Sequence, residues 1–141
     1  MTVDWRRARP AELFAFAAGV LLAVSLFLPW FEFGFRQEDA WSALTVTEIP
    51  AAIAAIGAIA LLPATLRQRS PAVPLAIAVW TSAIALVAVA LVAARAAAPP
   101  PGADERCFGL WLGLAGTVGV LLAAIGSLRD ERPFWGRAVT R

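Results

Sequence analysis

The sequence predicts an all-α integral membrane protein: a four-helix bundle crossing the bilayer up-down-up-down, as one domain over residues 1–141. Three observations predict it. Four apolar runs, at 13–31, 49–66, 74–94 and 108–128, approach the length that suits a hydrocarbon core, which takes about 20 helical residues. Hydrophobic residues make up 60% of the chain, above the roughly 45–50% of soluble domains. The charged residues, 16% of the chain, are confined to the ends and to the gaps between runs.

The run at 108–128 shows the pattern best. It carries no charge and reads FGLWLGLAGTVGVLLAAIGSL. At about 100° per residue, Gly109, Gly113, Gly116, Val120, Ala123 and Ser127 share a stripe. Leu110, Leu114, Val118, Leu121 and Ile125 lie opposite. Lipid tails are as apolar as leucine, so greasiness alone gives two membrane helices no reason to meet; small residues do, by letting backbones approach. Gly109, Gly113, Gly116 and Ala123 are therefore expected to pack helices, and the leucine face to meet lipid.

The other runs repeat the scheme. Pro10 suits a first helical turn, and Glu12 in that turn is favoured by the helix dipole and reads as a cap. The run at 13–31 has a basic flank, as a signal peptide would, but ends in Leu28-Pro29-Trp30-Phe31 with no A-x-A site, so a retained span is expected. Ala15, Ala18, Gly19 and Ser25 share its small face. Trp30 and Phe31 are expected at the far interface, where aromatic belts sit. In 49–66, Ala51, Ala55 and Ala58 align, Pro50 falls in the first turn, and Pro63 is expected to bend or end the last one. In 74–94, Ala78, Thr81, Ala85 and Ala88 form the small face, with Trp80, Ile84, Val87 and Leu91 opposite. Gly19, Ala55, Ala58 and Ala85 join the expected packing set.

The gaps are equally legible. FEFGFR alternates Phe31, Phe33 and Phe35 with polar or small residues, the period of a strand with one apolar face. That face suits the membrane surface or the tops of the helices. Asp39 can N-cap a short interfacial helix bearing Trp41 and Leu44. Thr45-Val46-Thr47-Glu48 matches a capping box, and Ser70 can cap the third span. The short link before 74 makes the second and third spans antiparallel neighbours. Pro99-Pro100-Pro101-Gly102 should break the third helix into a stiff, extended loop. Ala-Ala-Ile-Gly recurs at 54–57 and 123–126, but the flanks do not align.

Charge placement orients the chain. Arg6, Arg7, Arg9, Arg67, Arg69, Arg129, Arg132, Arg137 and Arg141 fall on the side of the termini; only Arg36, Arg95 and Arg106 fall on the other. The positive-inside rule then puts both termini in the cytoplasm of a bacterial inner-membrane protein. The basic balance is thus a topology signal rather than a nucleic-acid footprint.

The chain contains no His, no Lys and one Cys. That removes His-ligated haem, a Ser-His-Asp triad, a lysine Schiff base, an internal disulfide and a thiolate zinc site. No catalytic, metal or cofactor site is expected, and no nucleic-acid partner. Glu32, Glu38, Asp39, Asp104, Glu105 and Arg106 gather outside without diagnostic spacing. Ser25, Thr81, Ser82 and Thr117 are the polar groups at depth, suited to backbone hydrogen bonds or to a hydroxyl-lined path. Cys107 reads as a free thiol or as half of an intermolecular disulfide. The expected role is non-enzymatic: an accessory or scaffold subunit, or a homo-oligomer, working by helix packing among membrane lipids. The alternatives are an apolar-ligand or lipid binder, using Trp30, Phe31, Phe33, Phe35, Trp41 and Trp111, and an oligomeric pore or transporter component.

With Leu28-Pro29-Trp30-Phe31, Trp41 and Gly109-Leu110-Trp111-Leu112-Gly113-Leu114 in these places, the layout resembles small four-span membrane proteins of high-GC Gram-positive bacteria. That resemblance implies no activity. The topology is also similar to that of claudin-like proteins, whose long first outer loop carries Gly-Leu-Trp and two cysteines. Here Gly109-Leu110-Trp111 opens the fourth run, and Cys107 is the only cysteine.

Overall fold

The first helix, α1, covers Pro10–Ser25, and it stops there because of Pro29. A continuing helix would need the N–H of residue 29 on the carbonyl of Ser25, and proline has none. Proline also biases Leu28 away from helical backbone. The chain tightens instead, Phe27 N donating to Val24 O and Leu28 N to Ser25 O, both at 3.1 Å. The helix expected over 13–31 is thus 16 residues long, about 24 Å at 1.5 Å per residue. Its N-terminus is capped as read: Arg9 N donates to Glu12 Oε2 at 3.2 Å, and Glu12 is buried.

The computed structural model describes residues 8–43, 46, 48–67 and 72–129. After α1 come strands β1 (Pro29–Phe33) and β2 (Arg36–Asp39), then a single helical turn, α2 (Ala40–Ala43). Longer helices α3 (Glu48–Arg67) and α4 (Ala72–Ala97) follow, then a two-residue strand, β3 (Glu105–Arg106), and α5 (Phe108–Arg129). The expected capping residues Thr45, Thr47 and Ser70 lie outside the described residues, as does Leu44.

The chain is mostly helical but not all-α, as the sequence had suggested: β2, β1 and β3 form a three-stranded antiparallel sheet in that order. The alternation in FEFGFR produces the hairpin. Gly34, at φ +62°, takes the first turn position, the geometry of a type II′ turn. Asp39 caps α2 by accepting from Ser42 N at 2.9 Å.

Three helices among the described residues, α3, α4 and α5, are long and apolar enough to cross a membrane. α1 packs against α3 and α5, and α4 packs against the same two, which closes a ring. Gly109 lies against Pro29 and Leu28, Gly116 against Leu22, Gly119 against Ala18 and Gly126 against Ala11. Rising numbers on α5 therefore meet falling numbers on α1. Ala8 clusters with Leu62 and Leu66 at the far end of α3.

Pro63 does not end its helix: α3 continues to Arg67. One proline removes one backbone bond, and the last turn keeps its packing through buried Leu61, Leu62 and Leu66. Thr65 Oγ1 also donates to Leu61 O at 3.1 Å. The proline run after α4 makes a tight turn rather than an extended loop, with Ala103 N on Pro100 O at 3.1 Å and Gly102 at φ +87°.

The glycine contacts differ in tightness, and the difference is measurable. A Cβ on Gly109 would run into the Pro29 carbonyl oxygen, and one on Gly116 would stand 3.0 Å from Leu22 Cα, both unyielding backbone. On Gly126 it would meet Ala11 Cβ at an ordinary 3.5 Å. Gly109→Ala and Gly116→Ala should each cost about 1–3 kcal/mol by overpacking. Gly126→Ala should be neutral or gain up to about 1 kcal/mol of helix propensity. Unfolding midpoints in a mild detergent check both directions.

Candidate functional site

The sheet end of the ring is the most constructed part of the molecule. The carbonyl of Ser25, which Pro29 cannot reach, accepts instead from the indole Nε1 of Trp30 at 2.7 Å. The ring of Trp30 lies over Gly109 and Gly113, where a Cβ on Gly113 would stand 2.5 Å from Trp30 Cζ2. Trp30 and Phe31 are both 0% exposed. Neither ring is therefore open to lipid or solvent; both are enclosed by protein. β1 carries them into the protein because its main chain is bonded on both sides. Cys107 N donates to Trp30 O and Asp104 N to Glu32 O, both at 2.8 Å.

The remaining aromatic candidates part company. Phe33 is half-buried near Gly102. Phe35 is 108% exposed at the hairpin turn. Trp41 and Trp111 are exposed, and the ring of Trp41 lies 6.2 Å from that of exposed Phe27. The six therefore do not line one groove. Trp30 and Phe31 are filled in by protein, and Phe35 stands apart from both.

The small residues lie inside. Gly109, Gly113, Gly116, Ala123, Gly19, Ala55, Ala58 and Ala85 are all buried. Gly19 meets Ala55 and Ala58 across the α1–α3 contact, and Gly57 sits directly on Thr81 across α3–α4. Leu110, read as lipid-facing, is buried too, because the first turn of α5 is covered by the sheet as well as by its neighbours.

Three of the four polar groups at depth spend their hydrogen bonds locally. Ser25 Oγ donates to Leu22 O at 2.7 Å, Thr117 Oγ1 to Leu114 O at 2.9 Å and Ser82 Oγ to Val79 O at 2.8 Å. Such back-bonding satisfies the hydroxyl on its own helix. The outer charges are largely structural. Asp104 Oδ2 accepts from Gly34 N at 2.6 Å and so ties the last loop to the hairpin turn. Arg106 Nε donates to Ala96 O at 2.6 Å, supplying a donor that the end of α4 lacks. Glu48, the first residue of α3, is buried, and its Oε2 accepts no hydrogen bond among the described residues. No group of His, Cys, Asp or Glu among the described residues could hold a metal ion.

Cys107 is a free, half-buried thiol just ahead of α5. Burial pushes its pKa up first, and the carboxylates of Glu32 and Glu105, which face each other across the β1–β3 ladder, push it further. Sequence reasoning placed Cys107 at this end but did not see these neighbours. Nothing in two residues, Glu105–Arg106, announces a strand. The Trp30 bond, by contrast, was readable: Pro29 four residues after Ser25 removes the helical donor to that carbonyl, and an indole stands next in the chain.

These features define a class: a helical protein with three apolar helices of membrane-crossing length, closed at one end by a small sheet. Comparison with protein-family models, with curated proteins and with solved structures finds no match.

Two outcomes follow. Trp30→Phe keeps most of the ring but removes the indole donor and leaves Ser25 O with Leu28 N alone, at a cost of about 0.5–1.5 kcal/mol in detergent unfolding. Alkylation of Cys107 by iodoacetamide should be slower at pH 8 than that of free cysteine. A raised pKa leaves less thiolate at that pH, so the rate should go on climbing at higher pH. Glu32→Gln should shift that profile toward lower pH.

Proposed function

We propose that this chain is a multi-pass protein of the bacterial inner membrane, a four-span bundle running up-down-up-down with both termini cytoplasmic, and that it works without catalysis as a scaffold or homo-oligomer through helix packing. The ring of helices and the opposed order of the α1 and α5 contacts support the topology. α1, though 16 residues long, is lengthened by the turns at 26–28 and by the buried start of β1. Arginines at the start of α1 and the ends of α3 and α5 support the orientation.

One observation carries the packing role. The outward side of α4 shows Ala76, Ala83, Ala90 and Ala97 at seven-residue spacing, with Val79, Leu86 and Ala93 between them, and every one is exposed. This is the spacing of a coiled-coil seam, built from residues small enough for close approach. The small-residue stripes expected to pack helices are buried inside the ring, whereas this small-residue face of α4 lies outside it. The apolar-ligand reading loses Trp30 and Phe31 as lining. The hydroxyl path loses Ser25, Ser82 and Thr117 to their own helices.

Cross-linking tests the reading. In a Cys107→Ser background, Ala83→Cys and Ala90→Cys should form disulfide dimers in membranes, whereas Trp80→Cys, off the seam, should not. Ala83→Ile should shift the protein toward monomer in native-detergent mass measurements. A protein that is monomeric throughout, with no seam cross-links and no co-purifying subunit, removes the proposal.

A further inference from the structure

We propose that the tip of the β1–β2 hairpin, Phe35 with Arg36, is a lipid anchor that seats the sheet end of the protein in the headgroup layer of the outer leaflet. The inference rests on the membrane reading above, and its test separates the two.

Strand alternation would put Phe31, Phe33 and Phe35 on one face. That face is laid against the protein: Phe31 is enclosed and Phe33 half-buried. Phe35 escapes it because Gly34, at φ +62°, turns the chain there. The result is a phenyl ring with no protein contact to cover it, beside an exposed arginine. The other exposed aromatics of this end, Phe27, Trp41, Phe108 and Trp111, sit where the helices give way to the sheet. Aromatic rings collect at the boundary between hydrocarbon and headgroups, so these residues mark the level of that boundary.

The hairpin starts at the same level, since Pro29 and Trp30 lie against Gly109 in the first turn of α5. β1 touches α5 at this start, and its next residues pair with β3, just ahead of α5. A phenyl ring at the headgroup level buries apolar surface, while a neighbouring arginine can reach phosphate with its head and lay its stem along the acyl boundary. The surrounding charge does not forbid this. Glu32, Glu38, Asp104 and Glu105 would oppose docking from solution onto an anionic surface, but the helices already hold the hairpin there, so insertion is intramolecular.

A protein partner is the less favoured occupant. Protein interfaces bury on the order of 800 Å² per side around a central apolar cluster. Phe35 is a single ring ringed by charges.

A nitroxide at Gln37→Cys, exposed on β2 two residues from the ring, reports the tip in a Cys107→Ser background. The protein is reconstituted in phosphatidylcholine–phosphatidylglycerol liposomes, and collision with a water-soluble nickel chelate is read by power saturation. The label should be shielded from the chelate in the parent, severalfold more accessible in Phe35→Ser, and shielded again in Phe35→Leu. Accessibility that is already at the water value, or that Phe35→Ser leaves unchanged, overturns the anchor. Shielding that occurs in native membrane vesicles but not in pure lipid assigns the tip to a protein partner and also overturns it. A second label at Ile56→Cys, exposed in the middle of α3 and off the α4 seam, should be rich in oxygen and poor in chelate contact. If that label reads as aqueous, the membrane reading fails, whatever the hairpin does.

Discussion

In a continuing helix the carbonyl of Ser25 would accept from the N–H of residue 29, but residue 29 is proline. A buried carbonyl without its helical partner costs free energy; here Leu28 N donates to it at 3.1 Å and the indole of Trp30 at 2.7 Å. Much of the sheet end depends on that one exchange. It turns the chain off the helix axis, pulls Trp30 inward and lays its ring over Gly109 and Gly113. It also brings the main chain of β1 to where Cys107 N and Asp104 N can bond it. Irregular backbone near a membrane is tolerated where protein encloses it, and here the partners come from the far end of the chain.

The same economy governs the helices. Ring closure needs close approach, and three of the four contacts have a glycine in them: Gly19 on Ala55 and Ala58, Gly57 on Thr81, Gly116 on Leu22. Where lipid and side chain are equally apolar, contact area at short range is what distinguishes association from solvation by lipid. Hydroxyls that bond their own helix add nothing to that contact, but they leave no polar debt inside it.

The outer charges follow a related logic. Arg106 meets the end of α4, Asp104 meets the hairpin turn and Asp39 starts α2. Each serves backbone groups that helix and strand ends leave open. The sheet is thereby tied to α4 through Arg106, which the sequence shows only as a loop charge, and to α2 through Asp39, while Asp104 ties the last loop to the hairpin turn. Glu32 and Glu105, placed opposite each other, are the exception, and they add to the burial that raises the pKa of Cys107.

Local pattern was enough to determine the long helices, since apolar runs of this length have few other structures open to them. It also indicated a strand at Phe31 and Phe33, from period-two alternation of consecutive residues, and the caps at Glu12 and Asp39, which act over three positions, but not the turn at Gly34 that makes the strand a hairpin. The stripes could be read as faces from helical periodicity alone. What covers each face could not, because a small face looks the same whether it meets its own chain or another. Tertiary structure alone decided that β3 joins the sheet, that Leu110 is covered, that Pro63 is carried within its helix and that Trp30 turns inward. Each of these depends on a partner distant in sequence, and a partner supplied across the fold leaves no periodic trace in the residues that receive it.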